Sequence, residues 1–499
     1  MRWEDFPADV QPYLVPKPAG HMVYRCLECG AEFAIDRLLY TCPHCQGLFL
    51  LVDLEADRLK AHPGAFWRRL FDYRRLLNDP AVRGVFCYHE LIAPIIPPQD
   101  IIYLGECHTP QVQANARLQD EVGMAFYFKN DGQNPSASFK DRGMAVALSY
   151  LNYLIRTRNL TDVLAICAST GDTSAAAALY AAYLGGKVAS AVLLPHGKVT
   201  PQQLSQPLGA GAQVLEIPGV FDDCMRVVEA LAEHYHVALL NSKNSWRIRG
   251  QESYAYEVAQ WFDYDLAGKV IVVPIGNAGN ITAVLEGFLR FHDLGIIENL
   301  PTVIGVQSRH ANPVFRYYQE KNPQRRLFVP VTVQPSVAQA AMIGRPVSMP
   351  RVIRLVEEYT RRAGAEAFAV VEVTEQEIMD NMLLANRHGH IACTQGGESL
   401  AGLRAALRAG LIRRDQVAVV DATAHHLKFI GFQQMYFDDT FPPEFEVTPR
   451  PEYQNQPRLL TPARQPSHSP WTPAEIQEFT QDMVAQVAAA LGLPKRQGD

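Results

Sequence analysis

The sequence predicts an α/β protein whose parallel sheet is buried under helices, preceded by a small cysteine module. Three observations carry that expectation: short apolar strands alternate with amphipathic stretches between about residues 100 and 422, two C-x2-C pairs stand near the start, and 48% of the 499 residues are apolar. Such a length suits two to four domains with large cores. With 46 basic against 52 acidic residues and a formal charge of −6, nothing pulls the chain toward nucleic acid or an anionic membrane. No run approaches the roughly 18 apolar residues of a membrane helix. The opening MRWEDFPADVQPYLVPKPAG carries acids and prolines where a signal peptide needs a basic start and an apolar run. A cytoplasmic protein with no nucleic-acid or membrane partner is expected.

In chain order, residues 1–22 are an irregular lead and residues 23–52 the cysteine module. Within it, Cys26 and Cys29 form one C-x2-C pair and Cys42 and Cys45 the other, separated by twelve residues. Two such knuckles joined by a hairpin place four thiolates tetrahedrally, as Zn²⁺ requires in closed structural sites. A metal-free ribbon held by packing is the alternative. The other five cysteines are scattered singly, as core thiols are in a reducing compartment. Residues 53–98 read as helical, with Trp67, Phe71 and Tyr73 as packing positions.

The clearest strands are VLAICA (163–168), VASAVLL (188–194), VIVVPI (270–275), TVIGVQ (302–307) and VAVVDA (417–422). Runs apolar on both faces suit a parallel sheet covered on both sides, and ligands bind such sheets beyond the strands' carboxyl ends. Residues 432–499 form a proline-rich extension, with eight prolines between 441 and 470. It ends in an amphipathic helix announced by the capping-box spacing Thr472-Pro473-Ala474-Glu475.

The segment Asn134-Pro135-Ser136-Ala137-Ser138-Phe139-Lys140-Asp141-Arg142-Gly143 opens a helical stretch. A lysine at a helix start, beside Arg142, has its ammonium form disfavoured and suits Schiff-base chemistry; an exposed lysine at a helix end reads equally well locally. Two strand–loop–helix junctions favour the first reading. Ser169-Thr170-Gly171-Asp172-Thr173-Ser174 follows one strand and Gly276-Asn277-Ala278-Gly279-Asn280 another, and both expose backbone N–H groups able to hold an anion. The second loop lacks the dinucleotide fingerprint, so a small cofactor with one phosphate fits better than a nicotinamide cofactor.

The motifs SFKDRG, ASTGDTSAA, NSKNSWRIRGQ, PIGNAGN and TAHHLKF, in that order, resemble those of the threonine synthase family. The resemblance runs from the cysteine module to about Gly431. It implies a two-domain pyridoxal-phosphate fold of type II, like the tryptophan synthase β chain. Residues 99–143 and 266–431 would form the large cofactor-binding domain and residues 144–265 the small one. By the same resemblance Lys140 is the Schiff-base lysine and Phe139 lies near the cofactor ring. Gly276, Asn277, Ala278, Gly279 and Asn280 hold the cofactor phosphate. Asp172 contacts its 3′-oxygen, and Thr423 faces the pyridine nitrogen. Ser242 and Arg247, with Thr173 and Asn277 nearby, hold the phosphate of O-phosphohomoserine. The segment 336–348 resembles the family's AIRIGNP-like stretch. A homodimer is the family's usual assembly.

Several positions depart from the family pattern. His426 replaces a glycine, GECHTPQ (105–111) replaces GEGNTPL, and Ser136-Ala137 replaces Thr-Gly. The implied reaction turns O-phosphohomoserine and water into threonine and phosphate by γ-elimination and β-addition. A β-replacement on O-phosphoserine, as in cysteate synthase, would use the same lysine and phosphate contacts. A zinc-ribbon binding protein with an inactive body is the alternative of a different class. His425, His426, His388 and His390 read as structural or polar-rim residues, and Cys167 and Cys393 as buried thiols.

Overall fold

Strands covered by helices from both sides must be apolar on both faces, and the quoted strands occupy that position. The computed structural model describes residues 3–169, 171–196, 201–219, 221–464 and 470–494; Thr170 of the serine–threonine loop lies outside the described residues. An antiparallel ribbon comes first, with β1 (Met22–Cys26) flanked by β2 (Glu32–Ala34) and β3 (Phe49–Asp53). Next, β4 (Gln111–Gln113) and β5 (Ala125–Lys129) begin a large sheet. The chain leaves it to build a parallel four-stranded sheet from β6 (Val163–Ala168), β7 (Val188–Pro195), β8 (Gln213–Ile217) and β9 (Val237–Leu239), ordered β8-β7-β6-β9. It then returns through β10 (Lys269–Pro274), β11 (Thr302–Ser308), β12 (Phe368–Val373) and β13 (Val417–Asp421). The completed large sheet has the order β12-β11-β10-β13-β5-β4, all parallel except the antiparallel β4.

All five quoted strands form, as β6, β7, β10, β11 and β13. The loops after β6, β10 and β13 carry the candidate residues. Of the expected packing residues, Trp67 and Phe71 are buried on a helix over Gly64–Arg74, and Tyr73 is half-buried against the core. Residues Pro449–Asp499 form a second unit. In it the helix Pro473–Leu491 starts on the expected capping box, with Thr472 and Glu475 exchanging hydrogen bonds.

The passage between the sheets places the site. The helix Lys140–Arg158 leads out of the large sheet, and the helices Ser245–Gln251 and Ser253–Trp261 lead back. The first two cross at glycines. A Cβ on Gly143 would lie 2.7 Å from the Arg247 carbonyl oxygen, and one on Gly250 would lie 2.2 Å from that of Arg142. Only glycine permits this approach, and it brings Arg247 beside the start of the lysine helix.

The crossing is fastened by buried charges. Arg142 donates to Asp131 at 2.7 Å and to Glu257 at 2.6 Å, and Lys129 donates to Glu257 at 2.6 Å. Burial alone would push the Glu257 carboxyl up, but Arg142 and Lys129 hold it well below the usual carboxylate range. The network ties β5, the loop before Lys140, the lysine helix and the returning helix together. Arg142→Met would leave Asp131 facing a half-compensated Glu257 in a dry site. It is expected to cost about 3–5 kcal/mol, read as a lowered denaturant midpoint with unchanged slope.

Candidate active site

Lys140 is the first residue of its helix, and the segment before it is pinned on several sides. Phe139 N donates to the Thr423 carbonyl at 2.8 Å, and Ser138 pairs with Ala424. Ser136 N donates to Asp141 Oδ2 at 2.7 Å. Ala137, where the family pattern has glycine, sits at φ 62°, a left-handed conformation that explains the glycine elsewhere. The same holds for Cys107, at φ 68° in GECHTPQ.

The Lys140 amine lies 3.8 Å from the centre of the Phe139 ring. Deep placement in the protein pulls it down to about 7; Asp172 opposes this, while Arg247 and Lys428 add to it. This corrects one expectation. Arg142, two residues on in sequence, is turned into the Asp131–Glu257 network, and the cations facing Lys140, Arg247 and Lys428, come from elsewhere in the chain.

Asp172 begins the helix after β6, with Thr173 on the same first turn. The Asp172 carboxylate lies 2.9 Å from Lys428 Nζ, which also donates to the Ser136 carbonyl at 2.9 Å. The loop after β10 starts a fifteen-residue helix at Gly279, so its unpaired amides face the cleft mouth of the sheet. A Cβ on Gly279 would meet Ile248 Cδ1 at 3.0 Å, with Ser242 Oγ at 3.9 Å and Gln251 Oε1 at 3.8 Å. The glycine keeps this pocket open. Gly276 packs on Ala341 of the 336–348 segment. Asn277 accepts from Ser348 N at its carbonyl and from Val347 N at its side chain, so it braces the loop. Asn280 donates to Asp421 Oδ2 at 2.8 Å, and Ala278 caps the helix at φ 62°.

Arg247 is only 2% exposed. Its Nη1 donates to the Leu240 carbonyl at 2.7 Å, while Nε has no partner among the described residues. Burial pulls this guanidinium down to about 10, and among the described residues no carboxylate acts on it. A buried cation lacking its counter-ion, next to an open glycine pocket and the Ser242 hydroxyl, suits an anionic ligand.

These residues fit a phosphorylated aldehyde cofactor. A depressed amine, a helix N-terminus kept open by Gly279, and the buried Thr423 hydroxyl converge on one cleft. Cys393 is fully buried, with its Sγ 3.7 Å from Thr423 Oγ1. His390 stacks on Phe128 with ring centres 4.1 Å apart, and His426 N donates to the Ile391 carbonyl. Lys428, Asp421 and Asp141 were not singled out from the sequence. Lys428 lies within TAHHLKF, and its being that motif's one lysine is the signal the sequence offers.

The four cysteines of the ribbon also converge. All four Sγ atoms lie within 4.8 Å of one another, with Cys26–Cys45 at 3.5 Å and Cys29–Cys42 at 3.7 Å. A tetrahedron with Zn–S bonds of about 2.3 Å has edges of about 3.8 Å, so the thiols stand at the spacing one zinc ion needs.

The family model "Pyridoxal-phosphate dependent enzyme" matches residues 102–422. Threonine synthase of Methanocaldococcus jannaschii is 35% identical over 82% of this chain and 93% of its own length. Threonine synthase of Methanosarcina acetivorans is 34% identical over 81% of this chain and 91% of its own length. Chloroplastic threonine synthase 2 of Arabidopsis thaliana is 35% identical over 80% and 75%. Among solved structures, threonine synthase from Escherichia coli superposes with a TM-score of 0.61 at 21% identity, covering 85% of this chain and 94% of that one. That last likeness shows the fold alone.

An amine that titrates near neutrality sets a pH dependence. Only the neutral amine attacks an aldehyde, so capture of the cofactor by cofactor-free protein should accelerate as pH rises through about 7 and then level off. Stopped-flow absorbance across pH 5.5–9, roughly two units around that value, reads the profile.

Proposed function

The chain belongs to the pyridoxal-phosphate-dependent enzyme family, on the branch of its threonine synthase relatives, and we propose that it converts O-phosphohomoserine and water to L-threonine and phosphate. The observation that carries this reading is Arg247, buried without a carboxylate partner among the described residues, beside the amine and the glycine loop. A substrate bearing both an amino-acid end and a phosphate ester suits that pair of sites.

Gly276, Asn277, Ala278, Gly279 and Asn280 would hold the cofactor phosphate, and Phe139, Asp172 and Thr423 would surround its ring. Bound there, pyridoxal phosphate supplies an electron sink for negative charge developing at the substrate α-carbon. Lys140 Nζ, pulled down to about 7 by burial, has a sizeable neutral fraction near that pH and takes the α-proton as general base, able to return it elsewhere on the same face. Arg247 Nε and the Ser242 hydroxyl grip the ester phosphate through charge-assisted hydrogen bonds and stabilise it as it departs; Thr173 stands on the neighbouring helix turn. Lys428 holds the Asp172 carboxylate in place through an ion pair at 2.9 Å. Thr423 offers a neutral hydroxyl, which leaves a ring nitrogen unprotonated where a carboxylate would not.

Cofactor-loaded protein incubated with O-phosphohomoserine should release phosphate and threonine in equal amounts, with Lys140→Ala inactive. Turnover confined to O-phosphoserine with sulfite would move the enzyme to β-replacement, and no turnover of either would refute both. Arg247→Met should raise KM for the phosphorylated substrate by about 100-fold, the scale of losing a buried charge-assisted contact.

The ribbon is proposed to hold one structural zinc. Cys26, Cys29, Cys42 and Cys45 fill all four positions and leave none open, so the metal takes no part in the chemistry. One zinc per chain by elemental analysis is expected, and Cys26→Ser should abolish it.

A further inference from the structure

The ribbon and the anion site are joined by hydrogen bonds that the proposed reaction does not itself require. The segment 239–247 carries Ser242 and Arg247, and the ribbon holds both of its ends. At the entering end, β9 is the edge strand of the small sheet. Its outer edge is occupied by Tyr40, which lies between the two cysteine pairs. The Tyr40 hydroxyl donates to the Val237 carbonyl at 3.2 Å and accepts from Leu239 N at 3.0 Å, standing in for the missing neighbouring strand.

At the leaving end, Trp246 stands next to Arg247. Trp246 Nε1 donates to the Tyr24 hydroxyl of β1 at 3.0 Å. Tyr24 passes the chain on to Tyr150 of the lysine helix at 3.1 Å, and Tyr150 donates to the Ile35 carbonyl of the ribbon at 2.8 Å. The Trp246 and Tyr150 rings stack with centres 4.2 Å apart.

Between the two ends, the Phe49 carbonyl of β3 accepts from Ser245 Oγ at 2.9 Å and from Arg351 Nη2 at 2.8 Å. The same Arg351 donates to the carbonyls of Ser242 at 3.0 Å and Lys243 at 3.2 Å. Thus the ribbon backbone, one buried arginine and the anion loop form a single hydrogen-bonded unit.

We propose that the cysteine ribbon is the positioning scaffold of the anion site, with Tyr24 and Tyr40 as positioning residues that set where Ser242 and Arg247 stand. The inference rests on reading Arg247 as a phosphate-binding residue. Loosening the ribbon weakens the grip on a phosphate anion and leaves the cofactor's contacts at the glycine loop, Phe139 and Thr423 in place, because those hang on β10, β13 and the segment before Lys140.

The test uses the cofactor-loaded full chain and inorganic phosphate as the probe. Tyr24→Phe and Tyr40→Phe keep the rings and remove only the hydroxyls. Each is expected to raise the phosphate Kd about fivefold, the scale of one lost hydrogen bond, and to raise substrate KM with kcat and cofactor absorbance unchanged. Wild-type phosphate affinity in both folded variants would overturn the proposal. A wild-type protein that binds no phosphate would instead overturn the reading of Arg247 on which it rests. Hydrogen exchange supplies a second arm that needs no variant beyond Tyr40→Phe. The Leu239 amide and the segment through Trp246 should exchange faster while β10 does not; unchanged protection would equally overturn it.

Discussion

A guanidinium buried without a carboxylate is costly, and much of the surrounding structure is arranged around the one at Arg247. Removing a charge from water costs several kcal/mol even after relaxation, and a single carbonyl bond from Leu240 offsets only part of that. Arg142, equally buried, shows the ordinary solution: two carboxylates within 2.7 Å. Arg351 shows another, donating to several backbone carbonyls. Arg247 has neither, so its pocket gains most when an anion enters. An occupied site should therefore be more stable than an empty one.

The charge at Arg247 also shapes its neighbours. Together with Lys428 it disfavours a proton on Lys140, and burial does the larger share. Asp172 works against them and is itself restrained by Lys428 at 2.9 Å. The result is a cleft that is cationic where a phosphate ester would lie and neutral where an amine must act. Geometry makes this possible: Gly143 and Gly250 let two helices approach closely enough for residues far apart in sequence to share one electrostatic field.

What the sequence made legible divides along the range of the contacts. Local patterns read well. The five apolar strands, the paired cysteines, the glycine loop after β10 and the Thr472–Glu475 cap are each encoded in a few adjacent residues, and each forms. Strands β4 and β9, of three residues each, carry too little pattern to stand out. Long-range partners did not read. Arg142 stands two residues from Lys140, yet two residues are about 200° of helix, which carries it to the opposite side, where Asp131 and Glu257 wait. Lys428 and Asp421 meet their partners across 256 and 141 residues, counted from Asp172 and to Asn280. Ala137 and Cys107 looked like departures from a family pattern; their positive φ values show why the pattern prefers glycine at those two places.

The most direct measurement is diffraction from crystals of the cofactor-loaded protein soaked in inorganic phosphate. Difference density for a phosphate within hydrogen-bond distance of Arg247 Nε, beside Ser242 and separate from the cofactor's own phosphate at Gly279, is the expected result. An empty Arg247 pocket, or Arg247 swung out to pair with a carboxylate while phosphate binds elsewhere, would contradict it.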